Sequence, residues 1–398
     1  MQNKKLLNKH LILLGFVLSS PVLAQSGALK ADVFNSGLES TLKNAGIDEL
    51  SLTIGAKLGS LDSRTDKGTV YETNMNVELE AEVFEHVDFN FDGGFKYQTG
   101  NSSTQETGRI RTYKPKFSYK HGYFSYKMFN FAKISAGALK NSTNTTYISP
   151  FVNGGNSFLG VREMLLTKVG NFYFRLQATQ AQPQNALLRE TFNIDDNGDP
   201  QFFNESVDIT YLTRGFKVYG AAGTYRYKNL SADIADNDYF WGNSVSKGAT
   251  PDQSLYLYDF TGMYANAGIE FGIGNDRIRL KGAYVKNTES AVPDDKNTGF
   301  AYVAAYETKI SDKKVTFEAL GFENQADTAP AFYRGTQLAN DYKGYQVGIK
   351  LENKKGFKTE INYMNRTVLG NTDSVYLIDG YSDEQVYTIS LRKEYDIL

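Results

Sequence analysis

The sequence contains no cysteine among its 398 residues. Disulfide bonds and thiolate metal sites are therefore excluded, even for a chain that is exported to an oxidising compartment. Proline is scarce, at 8 residues, and only one tryptophan occurs, whereas tyrosine and phenylalanine number 27 and 26. This combination suits strands whose apolar residues are spread over a surface, and it does not suit a helical core.

Long apolar runs are absent after the N-terminus. Residues 11–18 form a short apolar run behind three lysines, and small residues follow it up to Ala24. We interpret residues 1–24 as a secretory signal peptide that is cleaved after Ala24, because the run is too short to span a bilayer comfortably. No other segment approaches the roughly 18 apolar residues of a membrane helix, so we expect no helical span in the exported chain.

Residue types that are typical of active sites are also few. Only three histidines occur: His10 lies in the signal peptide, and we place His86 and His121 in short turns. No Gly-x-Ser-x-Gly motif is present and no Ser–His pair falls on one face, so we expect no enzymatic activity. The net charge of −2 and the lack of a basic tract interleaved with aromatic residues argue against nucleic acid as a partner.

One segment shows a partial similarity to a metal-binding loop. The first half of a calcium loop is matched by Asn193, Asp195, Asn197 and Gly198, but the twelfth position is Asn204 instead of glutamate. We therefore expect a solvated acidic loop there. No cofactor-binding motif occurs, and we expect neither a cofactor nor a bound metal.

Polar and apolar residues alternate with a period of two along most of the chain. Between residues 75 and 83 the odd positions are apolar, and the even positions, which include Glu78, Glu80 and Glu82, are polar. Such alternation is typical of strands with one apolar and one polar face. Within 254–273 the apolar parity changes, which requires a bulge near Ala265 or a shorter strand. The predicted strands lie near residues 50–60, 70–83, 87–98, 109–120, 122–132, 158–169, 171–180, 205–213, 215–227, 254–273, 276–287, 298–309, 314–324, 343–353, 356–368 and 384–397.

The connections between these strands alternate between short and long. Short ones lie at 84–86, 121–122, 170–171, 214–215, 274–276, 311–314 and 353–356. Longer polar ones lie at 61–69, 99–108, 133–157, 181–204, 228–253, 288–297, 325–342 and 369–383. This layout predicts an all-β fold over 49–398: a transmembrane, antiparallel up-and-down β-barrel of about 16 strands with short periplasmic turns and long extracellular loops.

In such a barrel the apolar faces contact lipid, the polar faces line a lumen, and closure leaves no unpaired edge. Residues 25–48 lie outside the alternating pattern. We expect them to form a periplasmic or lumenal segment, either as a short helix or as a disordered lead-in.

The third long connection carries the most specific motif, which consists of Pro150, Phe151, Gly154, Gly155 and Asn156. It is similar to the Pro-Glu-Phe-Gly-Gly-Asp motif of general-diffusion porins, and the layout resembles this sixteen-stranded family of Gram-negative outer-membrane proteins. The resemblance implies that 133–157 folds into the lumen, that outer-membrane lipids including lipopolysaccharide surround the barrel, and that three copies associate. Both acidic positions of the motif are missing, so the resemblance does not extend to the charges behind the family's cation preference.

Strand parity assigns charged residues unevenly to the lumen. Acidic residues on strands two and three are Glu78, Glu80, Glu82, Asp88 and Asp92. Basic residues on the following strands are Lys114, Lys116, Lys120, Lys127, Arg162, Lys168 and Arg175, and Arg277, Arg279 and Lys281 lie further round. Opposed acidic and basic walls create a transverse field across a pore. At the constriction we expect a nearly neutral loop whose residues include Asn141, Asn144, Pro150 and Phe151.

These observations predict a water-filled channel for passive diffusion of small hydrophilic solutes and ions. One alternative is a substrate- or anion-selective porin, in which Lys114, Lys116, Arg162 and Arg175 form a basic ladder. Another is a plugged structural or adhesive barrel whose loops bind a partner. The reversal potential in a salt gradient separates the first two, whereas absence of conductance favours the third.

Overall fold

The computed structural model of the chain describes residues 42–43, 46–63, 67–100, 116–140, 157–183, 199–239, 241–246, 248–250, 253–333, 338–354, 356–373 and 383–397. None of the helices in these ranges has the length and the apolar content that a membrane span requires. The dominant element is the β-strand.

Sixteen strands form one closed antiparallel barrel, in which β1 pairs with β18. The barrel strands are β1 Ile47–Ser63, β2 Lys67–Phe84, β3 Val87–Gly100, β4 Lys116–Phe129, β5 Ala132–Lys140, β6 Ser157–Val169, β7 Phe172–Pro183, β8 Gln201–Thr213, β9 Phe216–Lys228, β12 Phe260–Ile273, β13 Asp276–Asn287, β14 Thr298–Ile310, β15 Lys313–Asn324, β16 Tyr342–Asn353, β17 Phe357–Val368 and β18 Glu384–Asp396. A helix α1 (Ala232–Tyr239) and a two-stranded ladder of β10 (Val245–Ser246) and β11 (Leu255–Tyr256) lie between β9 and β12. The predicted fold class is confirmed.

Tight turns connect the strands at one end of the barrel, which we call the short-turn end. Gly170 and Gly274 lie in two of these turns with φ angles of 60° and 64°. At both positions a side chain would point into open space. The left-handed backbone conformation, which costs glycine little, is therefore what selects glycine there. The opposite end, where most connections are longer, is the long-loop end.

Aromatic contacts identify the inner face of the barrel wall. Phe158 of β6 and Tyr227 of β9 lie three strands apart, yet their ring centroids are 6.3 Å from each other. Side chains can meet across that many strands only on the concave side of a closed sheet. Leu159 and Val161, which alternate with Phe158, therefore point outward, and they are 45% and 46% exposed. The outer face is an apolar belt of the kind that contacts lipid.

The prediction for the fourth and fifth strands is wrong. We placed a turn at residues 121–122, whereas β4 continues through His121 and Gly122 to Phe129. The fifth strand, β5, then occupies the beginning of the connection predicted at 133–157.

A β-bulge explains this error. On β3 the residues Asp92 and Gly93 are adjacent, but their partners on β4 are His121 and Tyr119, so Lys120 is an extra residue. One extra residue moves all following side chains to the other face. The resulting change of parity has the same appearance in the sequence as a hairpin turn.

Two smaller differences concern strand lengths. β12 begins at Phe260, and its ladders with β9 and β13 are continuous, so it contains no bulge. The apolar parity changes inside the strand, between Tyr264 and Ala267, because its first half carries aromatic residues on the inner face. Phe260 and Tyr264 are buried on the inner face of β12. β1 and β2 extend further than predicted, so only residues 64–66 separate them.

The chain before the barrel contacts the outer wall. Leu42, which is 1% exposed, packs in a cluster with Ile47, Leu50, Leu79 and Ala81 near the short-turn end. Leu50 pairs with Leu79 on the outward face of β1 and β2. The described part of 25–48 thus begins to cover the barrel from outside at this end.

Candidate functional site

Connections at the long-loop end fold into a structure that we call the cap. It comprises the described residues of 229–259, 288–297, 325–341 and 369–373. It contains α1, the β10–β11 ladder and a 3-10 turn at Ala331–Tyr333. The cap therefore has secondary structure of its own, although the sequence pattern identified its segments only as polar loops.

An aromatic cluster attaches the cap to the inner wall. Tyr333 of the cap lies with its ring centroid 5.1 Å from Phe158 and 5.5 Å from Tyr227, stacked in parallel on the latter. Ile234 of α1 belongs to the same cluster, and it is fully buried. Because Phe158 and Tyr227 belong to the inner face, this part of the cap lies inside the barrel. Each aromatic pair contributes about 0.5–1.5 kcal/mol beyond the burial of its surface.

Asn243 holds two segments of the cap together. Its side-chain nitrogen donates to the carbonyl oxygens of Ala326 at 2.9 Å and Ala329 at 3.1 Å. Its side-chain oxygen accepts a hydrogen bond of 2.8 Å from the backbone N–H of Ala331. Asn243 is fully buried. Because bulk water does not reach the buried Asn243 side chain, it does not compete for these hydrogen bonds. The amide therefore holds residues 326–331 against the segment that follows α1.

A buried carboxyl group lies beside this amide. Asp327 is fully buried, and its Oδ1 accepts a hydrogen bond of 2.9 Å from the backbone N–H of Ser244. Its Oδ2 has no hydrogen-bond partner among the described residues. Burial raises the pKa of Asp327 to about 6, against the opposing effects of the Ser244 hydrogen bond and of Lys296. The charge of this carboxylate therefore changes at mildly acidic pH.

Side chains of the wall also hold the cap. Asn287 at the end of β13 donates to the carbonyl oxygen of Asp327 at 2.8 Å. Asn324 at the end of β15 donates to that of Leu338 at 3.1 Å. The Tyr225 hydroxyl of β9 donates to the Thr328 carbonyl oxygen. The attachment thus extends from β9 to β15 along one side of the lumen.

Charges predicted to lie on opposed walls pair with each other instead. The Nζ atom of Lys127 on β4 lies 2.9 Å from Oδ2 of Asp88 on β3. The Nζ atom of Lys120 lies 3.1 Å from Oδ1 of Asp92. The two strands are neighbours in the barrel. Arginines further round the wall are also engaged: Arg175 forms an ion pair with the neighbouring strand, and the Nε of Arg162 donates to a threonine on β7. Local pairing thus reduces the field that these residues produce in the lumen.

Three acidic residues of β2 lack such pairing, whereas Glu72 of the same strand lies 2.9 Å from Lys96. Glu78, Glu80 and Glu82 alternate with outward-facing apolar residues, so they face the lumen. None of the three forms an ion pair with another residue in the described ranges. All three lie in the half of β2 next to its tight turn.

The wall opposite β2 is predominantly basic. Around the ring of sixteen strands, β12 lies eight positions from β2, between β9 and β13. β9 contributes Lys217, and β13 contributes Arg277, Arg279 and Lys281, all on the inner face near the short-turn end. Glu270 of β12 is the inward acidic residue among them. The lumen therefore has acidic and basic sides that face each other across its width.

A polar cavity lies along the inner wall between β13 and β18. Its volume is about 450 Å³, and Leu338 of the cap borders it. Cations and carboxylates alternate along it: Lys314 lies 3.2 Å from Glu307, and Lys350 lies 3.3 Å from Glu318. Such a surface offers both hydrogen-bond donors and acceptors to a passing hydrophilic solute.

Comparisons with known proteins agree with this architecture. No family of known sequences matches the chain, and no curated protein matches it. A solved structure of Pseudomonas putida OprB at high pH is similar, with a TM-score of 0.60, 11% identity, and coverage of 90% of this chain and 96% of that one. The low-pH structure of the same protein has a TM-score of 0.51 and 9% identity, and the match covers 93% of this chain and 99% of that one. The chain has the fold of a sixteen-stranded outer-membrane porin.

At these identities the similarity concerns the fold alone. In outer-membrane barrels the short turns lie in the periplasm and the long loops outside the cell. The porin fold therefore places the cap at the extracellular half of the lumen. It places the acidic residues of β2 and the basic residues of β9 and β13 in the periplasmic half.

Several predicted site residues lie outside the described part of the porin fold, namely Lys114, Asn141, Asn144, Pro150 and Phe151. Lys116 begins β4, where its backbone pairs with Lys96. The inward folding of 141–156 therefore remains a prediction. Most of the calcium-like segment is also outside, and Asn204 lies in β8 as a buried residue that donates to the Tyr264 hydroxyl at 3.1 Å. In the described ranges no cluster of acidic and histidine side chains is suited to hold a metal ion.

The residues that the sequence analysis missed belong to the cap. Apolar Ile234, Tyr239 and Val245 in a supposedly polar loop were one available signal. A second signal was the position of Tyr225 and Tyr227 on the lumenal parity of β9. Both side chains are buried, whereas a wall that faced only water would leave them exposed. Together these positions indicate that another segment of the chain packs against the inner face of the wall.

Proposed function

We propose that the protein is an outer-membrane channel for passive diffusion of small hydrophilic solutes and ions. The observation that supports this best is the closed barrel, whose outer face is apolar and whose inner face carries charged residues along its periplasmic half. A wall of this kind separates hydrocarbon from water, and a polar lumen conducts. The porin fold agrees with a channel and gives no support to an enzyme.

The same proposal includes the location and surroundings of the barrel. Residues 1–24 direct export and are removed, and the mature chain inserts into the outer membrane of a Gram-negative bacterium. Outer-membrane lipids, including lipopolysaccharide, contact the apolar belt. The resemblance to general-diffusion porins further implies a homotrimer.

Selectivity arises from the two charged sides of the periplasmic half. Glu78, Glu80 and Glu82 of β2 attract cations, whereas Lys217 and Arg277 attract anions across the lumen. Arg279 contributes less, because it forms an ion pair with Glu307 at 3.6 Å. Lys127 and Arg175 are ion-paired, so the basic ladder of the anion-selective alternative is partly neutralised. We therefore propose weak ion selectivity, set by the balance between the two sides.

Conductance of the refolded mature chain in a planar bilayer tests the proposal. We expect discrete single-channel steps and a small reversal potential in a salt gradient. Glu80→Lys should move the reversal potential toward anion selectivity, because it reverses a charge on the acidic side. Glu85→Lys in the adjacent turn is the matched control, since the Glu85 side chain is 90% exposed. Silent bilayers with correctly folded protein would contradict the proposal.

A second candidate function is a plugged structural or adhesive barrel. The cap favours it, because its aromatic cluster occupies part of the lumen at the extracellular half. In that case the wild-type protein would show no conductance, and removal of the cap would create it.

A further inference from the structure

The polar cavity between β13 and β18 has a cation and a carboxylate on either side of a small residue. Arg279 of β13 is opposite Ala305 of β14, and Ala305 is in turn opposite Glu318 of β15. All three residues line the cavity. Neighbouring strands are about 4.8 Å apart, so about 10 Å separates the backbones of Arg279 and Glu318. The alanine side chain ends at Cβ and leaves a gap between the two charged groups.

These two charged groups do not pair with each other. Nη2 of Arg279 lies 3.6 Å from Oε2 of Glu307, and Oε1 of Glu318 lies 3.3 Å from Nζ of Lys350. Neither Arg279 nor Glu318 has another ion-pair partner among the residues that the structure describes. Nε of Arg279 also has no hydrogen-bond partner in those ranges. A positive donor and a negative acceptor therefore border the gap from opposite sides.

The end of the cavity toward the cap is apolar. Val303 of β14 and Leu320 of β15 are opposite each other, one row nearer to the long-loop end than Ala305 and Glu318. Val303 and Leu320 pack in one cluster with Leu338 of the cap, and all three line the cavity. An aliphatic group that is buried on such a surface contributes favourably to binding. The cavity thus offers two opposite charges and an apolar contact to one small solute.

This arrangement discriminates between classes of solute. A solute with a single charge meets an opposite charge on one side of the gap and a like charge on the other. A zwitterion forms a charge-assisted hydrogen bond with each side, and it supplies an acceptor to the guanidinium donor that lacks one. The cavity volume of about 450 Å³ lies in the range of about 300–1,000 Å³ that is usual for small-molecule sites.

We propose that the polar cavity binds free aliphatic amino acids in their zwitterionic form. Arg279 binds the α-carboxylate and Glu318 binds the α-ammonium group. The aliphatic side chain packs on Val303, Leu320 and Leu338. The inference rests on the proposed function, because it names a solute class that the channel carries, but binding can be measured without conduction.

Saturation-transfer NMR of the refolded chain in nonionic detergent micelles tests the site with three matched solutes. At about pH 6.5, leucine carries both charges, N-acetyl-leucine only the negative one and leucinamide only the positive one. Leucine should bind about tenfold more tightly than either derivative, because it alone pairs with both sides of the gap. Equal binding of the three solutes, or tighter binding of either derivative, would overturn the proposal.

Substitutions that remove one charge assign the two ends of the solute. Glu318→Gln should weaken leucine about tenfold and should not weaken N-acetyl-leucine, which has no ammonium group. Arg279→Gln should weaken leucine and N-acetyl-leucine and should not weaken leucinamide. Glu323→Gln, on the outer face of β15, is the matched control and should bind leucine like the wild type. Each variant must still show the gel shift of a folded barrel on heating.

The contrary results are equally specific. Wild-type leucine binding in both cavity variants, or an equal loss in Glu323→Gln, would show that leucine binds elsewhere. Glycine has the same charges without a side chain and should bind about tenfold more weakly than leucine. Equal binding of glycine and leucine would overturn the apolar contact. Silent bilayers together with preferential leucine binding would refute the proposed channel and leave this site standing, whereas a conducting channel without the preference would refute only the site.

Discussion

Within the described part of the cap, the buried carboxyl group of Asp327 has a raised pKa, so its protonation changes at mildly acidic pH. Its pKa of about 6 lies above the ordinary value of 3.8 because burial disfavours the charged form. Above pH 6 the carboxylate is ionised and destabilises the folded cap by about 3 kcal/mol, and this penalty disappears as the pH falls from 6 toward 4. The attachment of the cap is therefore stronger at pH 4.5 than at pH 7.5.

Hydrogen exchange measures this effect. After correction for the intrinsic pH dependence of exchange, amides of 326–333 should exchange more slowly at pH 4.5 than at pH 7.5. Asp327→Asn should remove the difference, since the amide does not titrate. Asp294→Asn is the control, because the side chain of Asp294 is 97% exposed. A pH difference that persists in Asp327→Asn would show that another group is responsible.

At single residues, strand parity identifies the face of a charged side chain but not its ion-pair partner. Parity assigned Glu80 and Lys127 to polar faces. It could not show that Lys127 pairs with Asp88 at 2.9 Å while Glu80 forms no ion pair within the described ranges. Which charges neutralise each other depends on strand adjacency and register, and the sequence contains neither directly.

At the scale of elements, the cap packs on the inner wall of the barrel, and we predict that it limits how open the channel is. Its segments meet through hydrogen bonds of Asn243 and through the stacking of Tyr333 on Tyr227. Asn243→Ala should loosen it, since the mutation leaves the Ala326 and Ala329 carbonyls and the Ala331 N–H buried without partners. Each lost partner costs about 1–3 kcal/mol.

Single-channel recordings should therefore show larger or more frequently fluctuating conductance for Asn243→Ala than for the wild type. Asn365→Ala is the matched control, because Asn365 lies on the outer face of β17 and contacts the Tyr363 hydroxyl at 3.4 Å. If both variants conduct like the wild type, the cap does not limit the current.

The β-bulge in β4 is a second feature at this scale that the sequence pattern did not identify. The sequence showed a change of parity near Lys120, and both a turn and an extra residue produce that change. The register between β3 and β4 resolves it, since Asp92 and Gly93 pair with His121 and Tyr119. A pattern that is read along one strand cannot contain this information, because a bulge is defined by the partner strand.

For the whole molecule, the closed ladder predicts resistance to detergent. Every barrel strand pairs with two neighbours, and in hydrocarbon-like surroundings no water competes for those hydrogen bonds. Unboiled protein in dodecyl sulfate should migrate differently from boiled protein on a gel. Asn243→Ala should keep this heat-dependent shift, because the cap contributes no strand to the barrel. Equal mobility before and after boiling would argue against a closed barrel.

The sequence by itself determined the barrel. Alternation of polar and apolar residues is imposed position by position, by water on one side of the wall and lipid on the other, and it therefore survives as a local pattern. Glycines in tight turns, such as Gly170 and Gly274, are equally local because φ belongs to a single residue. Strand number and the two classes of connection followed from these signals.

Only the tertiary structure decided what the lumen contains. Asn243 and Ala329 are 86 residues apart, and Tyr225 and Thr328 are 103 apart, yet these pairs build and anchor the cap. The opposition of β2 to β9, β12 and β13 likewise arises from closure of the ring. Contacts between distant segments leave no periodic trace in the sequence, because each depends on two surfaces whose relative position is fixed only when the barrel closes.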